Sequence, residues 1–105
     1  MSSTPRIHDF GQAIRFMKAG HRVTRLGWNG KGMFLYYVPG AKYPAQRNEM
    51  GTMMGVFPGD MVPYQPYIAM KTAQDTVVPW LASQSDMLAE DWIVWAGKSA
   101  ENDTD

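Results

Sequence analysis

The sequence predicts an α+β domain, with one N-terminal helix packed on a small, mainly antiparallel sheet of about five strands and a long flap between strands 2 and 3. Three observations predict it. Apolar residues recur at helical spacing in one long run, at Phe10, Ala13, Ile14 and Met17. Short apolar or β-branched runs follow, separated by turn residues such as Asn29-Gly30 and Ala73-Gln74-Asp75. Between two of these runs, residues 39–66 hold five prolines and four glycines, too many breakers for one regular element.

Residues 1–6 are read as a loose start. Asp9 and Gln12 stand three apart, the spacing of a capping box, and Gly20 is placed to end the helix, so the helix spans 9–19. His21 to Gly27 reads as a strand closing on the Trp28-Asn29-Gly30 turn, since Asn-Gly tolerates the positive φ of a tight hairpin. The returning strand, Met33 to Val38, is apolar or aromatic throughout, whereas a strand buried on one face alternates. Its second face therefore lines a pocket or meets another subunit. The 39–66 segment also carries Met50, Met53, Met54 and Met61, which suits an adaptable flap that packs rather than a solvated loop.

Tyr67–Lys71 and Thr76–Trp80 are the next strands. Ser83-Gln84-Ser85-Asp86 caps a short helical turn through Met87, Leu88 and Ala89. Trp92–Trp95 is the last strand, with its two tryptophans on opposite faces as core or subunit contacts. Residues 1–97 thus form one domain, and 98–105 are expected to be a disordered polar tail.

Composition narrows the function classes. Ten basic and ten acidic residues cancel, and a protein that grips a nucleic-acid backbone ordinarily needs a cationic excess, so DNA and RNA are not expected partners. The absence of cysteine excludes a disulfide scaffold, a thiol nucleophile and Cys-based metal sites. No run approaches the ~20 apolar residues of a membrane span, and the start lacks a signal core, so a soluble cytoplasmic protein is expected. HExxH and GxSxG motifs are missing, and His8 and His21 each sit at an element boundary, so no catalytic residue, metal or cofactor is called for.

The candidate ligand-binding residues gather at two turns. Trp28 between Gly27 and Asn29, and Trp80 after Pro79, can each offer a flat face to a nucleobase, or fold back on the sheet as packing. Asn29 can meet a base edge or merely serve the turn. Ser83, Gln84 and Asp86 either cap a helix or leave amides and a carboxylate for a ligand. Arg22, Arg25 and Lys31 near the first turn, and Lys42 and Arg47 in the flap, can meet a phosphate or face solvent. Asp86, Glu90 and Asp91 form an acidic cluster that can bind a cation or simply face solvent as a turn. Gly27, Gly30 and Gly32 lack the spacing of a phosphate-binding fingerprint and belong to hairpin chemistry.

Three ordered stretches resemble the second type of phage anti-Thoeris protein: Arg22-Val23-Thr24-Arg25-Leu26-Gly27-Trp28-Asn29-Gly30-Lys31-Gly32-Met33, Pro66 to Thr72, and Pro79-Trp80 to Asp91-Trp92. The likeness covers nearly all of residues 9–95 except 39–66. It implies a sponge in the host cytoplasm: a homo-oligomer, dimer or tetramer, that binds glycocyclic ADP-ribose made by a Thoeris TIR enzyme without cleaving it. Some members hold cyclic di- or trinucleotides of a related defence. By motif, Trp28 and Trp80 would stack on adenine as opposite walls, with Asn29 and Asp86 among the polar contacts. The other readings are a small nucleotide-cleaving enzyme and a protein-binding module.

Overall fold

The computed structural model describes residues 6–28, 32–45 and 53–96. Helix α1 runs Phe10–Lys18, and its start is the predicted capping box: the Gln12 amide donates to Asp9 Oδ1 at 2.8 Å and the Asp9 amide to Gln12 Oε1 at 3.0 Å. Gly20 follows at φ 98°, in the left-handed region that favours glycine after a helix end. Ala13 and Met17 are the buried positions of the helix.

Five strands form the main sheet: β1 Val23–Arg25, β2 Phe34–Val38, β5 Tyr67–Lys71, β6 Val77–Pro79 and β7 Trp92–Val94, in the order β6-β5-β2-β1-β7. The β1–β2 pair is antiparallel, with Val23 opposite Leu35, as the hairpin reading requires. β1 also pairs antiparallel with β7, Val23 facing Val94 and Arg25 facing Trp92. Successive side chains alternate across a sheet, so Val23, Leu35, Trp92 and Arg25 share the face under α1. Val23, Leu35 and Trp92 complete the core with Ala13 and Met17.

β1 is shorter than the predicted 21–27 strand. After Arg25 the chain turns toward β7, because the Leu26 amide donates to the Asp91 carbonyl at 3.1 Å and the Gly27 amide to Asp91 Oδ2 at 2.9 Å. The Asn29-Gly30 pair and Lys31 lie outside the described residues, as do residues 98–105. The β5–β6 turn closes at Thr72 and Thr76, with Asp75 at φ 62°, and β6 pairs antiparallel with β5. A short helix α2, Gln84–Leu88, precedes β7, with Ser83 and Asp86 forming its capping box.

The segment expected as a flap has its own order. Residues Val38–Tyr67 form a separate compact unit built on a hairpin of β3 (Ala41–Pro44) and β4 (Met61–Tyr64). A 3-10 turn at Pro58–Asp60 enters β4, and Asp60 at φ 56° accepts from the Gly55 amide at 2.7 Å. At Gly40 a Cβ would stand 2.8 Å from the Tyr64 carbonyl oxygen, so glycine permits the close approach of the two strand ends.

Trp92 is the largest fully buried side chain of the chain's described residues. Truncating it to Ala should cost about 3–5 kcal/mol in chemical denaturation, a large share of the roughly 5–15 kcal/mol of a small domain. Trp95→Ala, which removes a half-exposed ring, should cost clearly less in the same assay.

Candidate functional site

Trp92 organises the site from below. Its ring centroid lies 5.4 Å from Phe10, 5.4 Å from Trp28 and 6.1 Å from Trp80, and its indole N–H donates to the Asp86 carbonyl at 3.0 Å. Buried and hydrogen-bonded, it has no face left for a ligand. Trp28 and Trp80 pack on it but remain half-exposed. Their own centroids are 6.4 Å apart with planes at 61°. Two rings that meet edge to face leave no parallel slot for a base between them. Within one chain the pair therefore forms a corner rather than the two opposite walls expected from the sequence.

Beside this corner lies an ion-pair network. Arg25 Nε donates to Asp91 Oδ1 at 2.8 Å and Arg25 Nη1 to Asp86 Oδ1 at 2.8 Å. The three side chains are 19%, 30% and 14% exposed, so solvent screens them only in part. Asp91 accepts a second bond from the Gly27 amide, which ties the start of the Trp28 turn to β7. Asp86 accepts from the Ser83 amide at 3.2 Å, while Ser83 Oγ accepts from the Asp86 amide at 3.0 Å.

These contacts set the charges. The hydrogen bond from Arg25 holds the Asp91 carboxyl below the usual range against a smaller opposing effect of burial, with the Gly27 amide helping. Burial pushes Asp86 upward, but the bonds from Arg25 and Ser83 outweigh it, the Trp28 indole N–H adds to them, and the net direction is down. The bond to Asp91 and, against some desolvation, the bond to Asp86 raise Arg25. All three groups stay ionised at neutral pH and are largely engaged with one another.

The candidate residues thus separate. Trp28, Trp80, Arg25, Ser83 and Asp86 come together around the corner, and Gln84 is exposed on the first turn of α2. The Ser83–Asp86 capping box occupies amides that the sequence left open for a phosphate. Asn29 and Lys31 fall outside the described residues. Asp91, read from sequence as part of a solvated turn, instead binds Arg25 and the Gly27 amide. Its partners are 64 and 66 positions away, a separation that no local pattern reveals.

The sheet face away from α1 carries a second cluster. Arg22 stacks over Phe34 at 5.2 Å and over Trp95 at 5.4 Å, and the Phe34 and Trp95 rings meet edge to face at 5.0 Å. All of β2 except Leu35 is half-exposed, so its apolar second face is open in the single chain. At the sheet edge below the end of α1, a depression of about 400 Å³ is lined by Met17 and Gly20 together with Arg22, Phe34, Tyr37 and Lys71. Among the described residues, no group of three or more His, Cys, Asp or Glu side chains is placed to hold a metal ion, and no helix is long and apolar enough to cross a membrane. His8 and His21 pack their rings against Phe16, at 4.7 and 5.9 Å.

Residues 8–95 match the family pattern described as the Tad2-like, Thoeris anti-defense 2-like domain. The chain is also similar to the protein named Thoeris anti-defense 2 of Bacillus phage SP01, 39% identical over 83 residues, spanning 79% of this chain and 89% of the relative.

Because Asp86 and Asp91 titrate lower when folded than when unfolded, their stabilising contribution is complete above the ordinary carboxylate range and disappears as the pH falls through their depressed values. Thermal unfolding followed between neutral and strongly acidic pH should show this loss. Arg25→Gln should flatten that acidic limb and lower the neutral plateau.

Proposed function

The chain belongs to the Thoeris anti-defense 2-like family, and we propose that it is a phage anti-defence protein that sequesters a cyclic nucleotide signal, glycocyclic ADP-ribose, without cleaving it. It would act in the bacterial host cytoplasm and keep the Thoeris effector from being activated. The name of the phage relative supports the pathway. The observation that carries the mechanism is the half-exposed Trp28–Trp80 corner fixed on buried Trp92 beside Arg25, Ser83 and Asp86.

Retention needs rigid surface more than reactive groups. A nanomolar complex requires about −12 kcal/mol, of which stacking on an indole contributes roughly 1–3 kcal/mol per base. Hydrogen bonds to a charged pyrophosphate add about 1.5–3 kcal/mol each. A preorganised corner reduces the ordering cost that would otherwise offset these gains. The same geometry disfavours cleavage. A general base is most effective with a pKa near the working pH, and Asp86 and Asp91 are instead depressed and bound to Arg25.

A single corner gives a base one side to lean on. The opposing wall comes from a second copy of the chain, which would also cover the open face of β2 with its Phe34, Tyr36 and neighbouring Trp95. The functional particle is therefore a homo-oligomer, dimer or tetramer. The depression beside Arg22 and Lys71 favours a second reading, in which a cyclic di- or trinucleotide of a CBASS-type defence is held there.

The decisive experiment incubates the protein with glycocyclic ADP-ribose, removes free ligand, denatures the protein and identifies what is released. Intact ligand is expected; a cleaved product would establish an enzyme instead. Calorimetry should show Trp28→Ala and Trp80→Ala each weakening binding by about tenfold or more. Unchanged affinity in both would leave the tryptophans to a protein-binding role. Light scattering at micromolar concentration should give at least a dimer mass, and a monomer would remove the proposed second wall.

A further inference from the structure

Residue 91 makes three bonds to the three residues that precede Trp28. Its carboxylate accepts from Arg25 Nε at 2.8 Å through Oδ1 and from the Gly27 amide at 2.9 Å through Oδ2, while its carbonyl accepts from the Leu26 amide at 3.1 Å. Together these take the chain out of β1 and fix the direction in which the Trp28 turn leaves the sheet. Arg25 extends the same hold to α2 through Asp86. Gly27 is fitted to the arrangement: a Cβ there would stand 3.0 Å from Asp91 Oδ2 and 3.7 Å from Arg25 Nη2.

We infer that Asp91 is a positioning residue for nucleotide capture, acting through the Gly27 amide and Arg25 to hold the turn that carries Trp28, and that Arg25 serves this latch rather than a ligand phosphate. The inference rests on the capture reading above. The geometry gives the reason for both halves. Arg25 spends Nε and Nη1 on two carboxylates, so its charge is largely neutralised before any anion arrives. Trp28 reaches its place on Trp92 from a short turn, and a turn released at its base presents the indole in many orientations. Each added orientation lowers the fraction of molecules ready to bind.

The experiment compares the wild type with Asp91→Asn, which keeps the size and one acceptor, and with Gly27→Ala, which leaves every charge in place but crowds the carboxylate. Two measurements are made where circular dichroism shows all variants folded: hydrogen exchange of the backbone amide at position 27, corrected for its intrinsic rate, and calorimetric affinity for glycocyclic ADP-ribose. Both variants should lose protection at position 27 and bind roughly tenfold or more weakly, the scale of one charged hydrogen bond. Asp91→Glu, which retains the charge, should recover part of both. Asp75→Asn, which removes a carboxylate paired to Lys71 on the β5–β6 turn, should change neither. Arg25→Lys keeps the charge but cannot reach two carboxylates at once, so it should behave like Asp91→Asn rather than like the wild type. Unchanged exchange and affinity in Asp91→Asn would overturn the inference, as would lost protection with full affinity. A wild type that binds no nucleotide overturns the capture reading, and Gly27 exchange then decides alone whether Asp91 holds the turn.

Discussion

The burial of Trp92 is the constraint on which the main sheet and its recognition corner depend. Its backbone pairs with Arg25 on one side and exchanges two hydrogen bonds with His8 on the other, at 2.7 and 3.1 Å. Its ring fills the space between α1 and the sheet, and its indole N–H satisfies a carbonyl of α2. One side chain thus fixes the helix, the central hairpin and the short second helix against each other. The packing is aromatic on several sides, and edge-to-face contacts give those rings set orientations as well as contact area. That is why Trp28 and Trp80 can remain half-exposed without being loose.

Electrostatics complete what packing begins. The aromatic cluster fixes where Trp28 rests, and the Arg25–Asp86–Asp91 network fixes how the chain arrives there. Its value lies in partial burial. A fully exposed triad would be screened and weak, whereas side chains 14–30% exposed keep much of their mutual attraction. Each carboxylate also accepts a backbone amide, Gly27 for Asp91 and Ser83 for Asp86, so the charges order main chain as well as one another. The same commitments explain why these carboxylates suit a binding surface better than an acid–base reaction.

The two faces of the sheet divide the work. The face under α1 carries the core. The other face, with Arg22 between Phe34 and Trp95, is apolar and cationic at once and remains open in the single chain. Residues Val38–Tyr67 form a unit with a hairpin of its own, in which the tyrosines Tyr43 and Tyr64 pair across the strands at 5.8 Å. Pro44 and Pro63 lie within its strands and Pro58 and Gly59 in the turn that enters β4, where sequence alone showed only an interrupted loop.

The α+β class, the capped N-terminal helix, the first hairpin and the places of the five main-sheet strands, though not β3 and β4, were legible from local patterns, because spacing, caps and turn residues act over a few positions. The sequence also marked Trp28 and Trp80 as unusual tryptophans beside turns, and the order of motifs around them pointed to the family. What it could not decide was which tryptophan would be buried and how the other two would face each other. Trp92 became the hub and Trp28 and Trp80 a corner because strand register brings Trp92 opposite Arg25, a pairing across 67 positions. Asp91 stayed hidden for the same reason: its neighbours in sequence are Glu90 and Trp92, but its bonds run to Arg25, Leu26 and Gly27. Local chemistry determined the elements of this protein; long-range pairing, which only the folded chain provides, decided which side chains hold the site and which are left to meet a ligand.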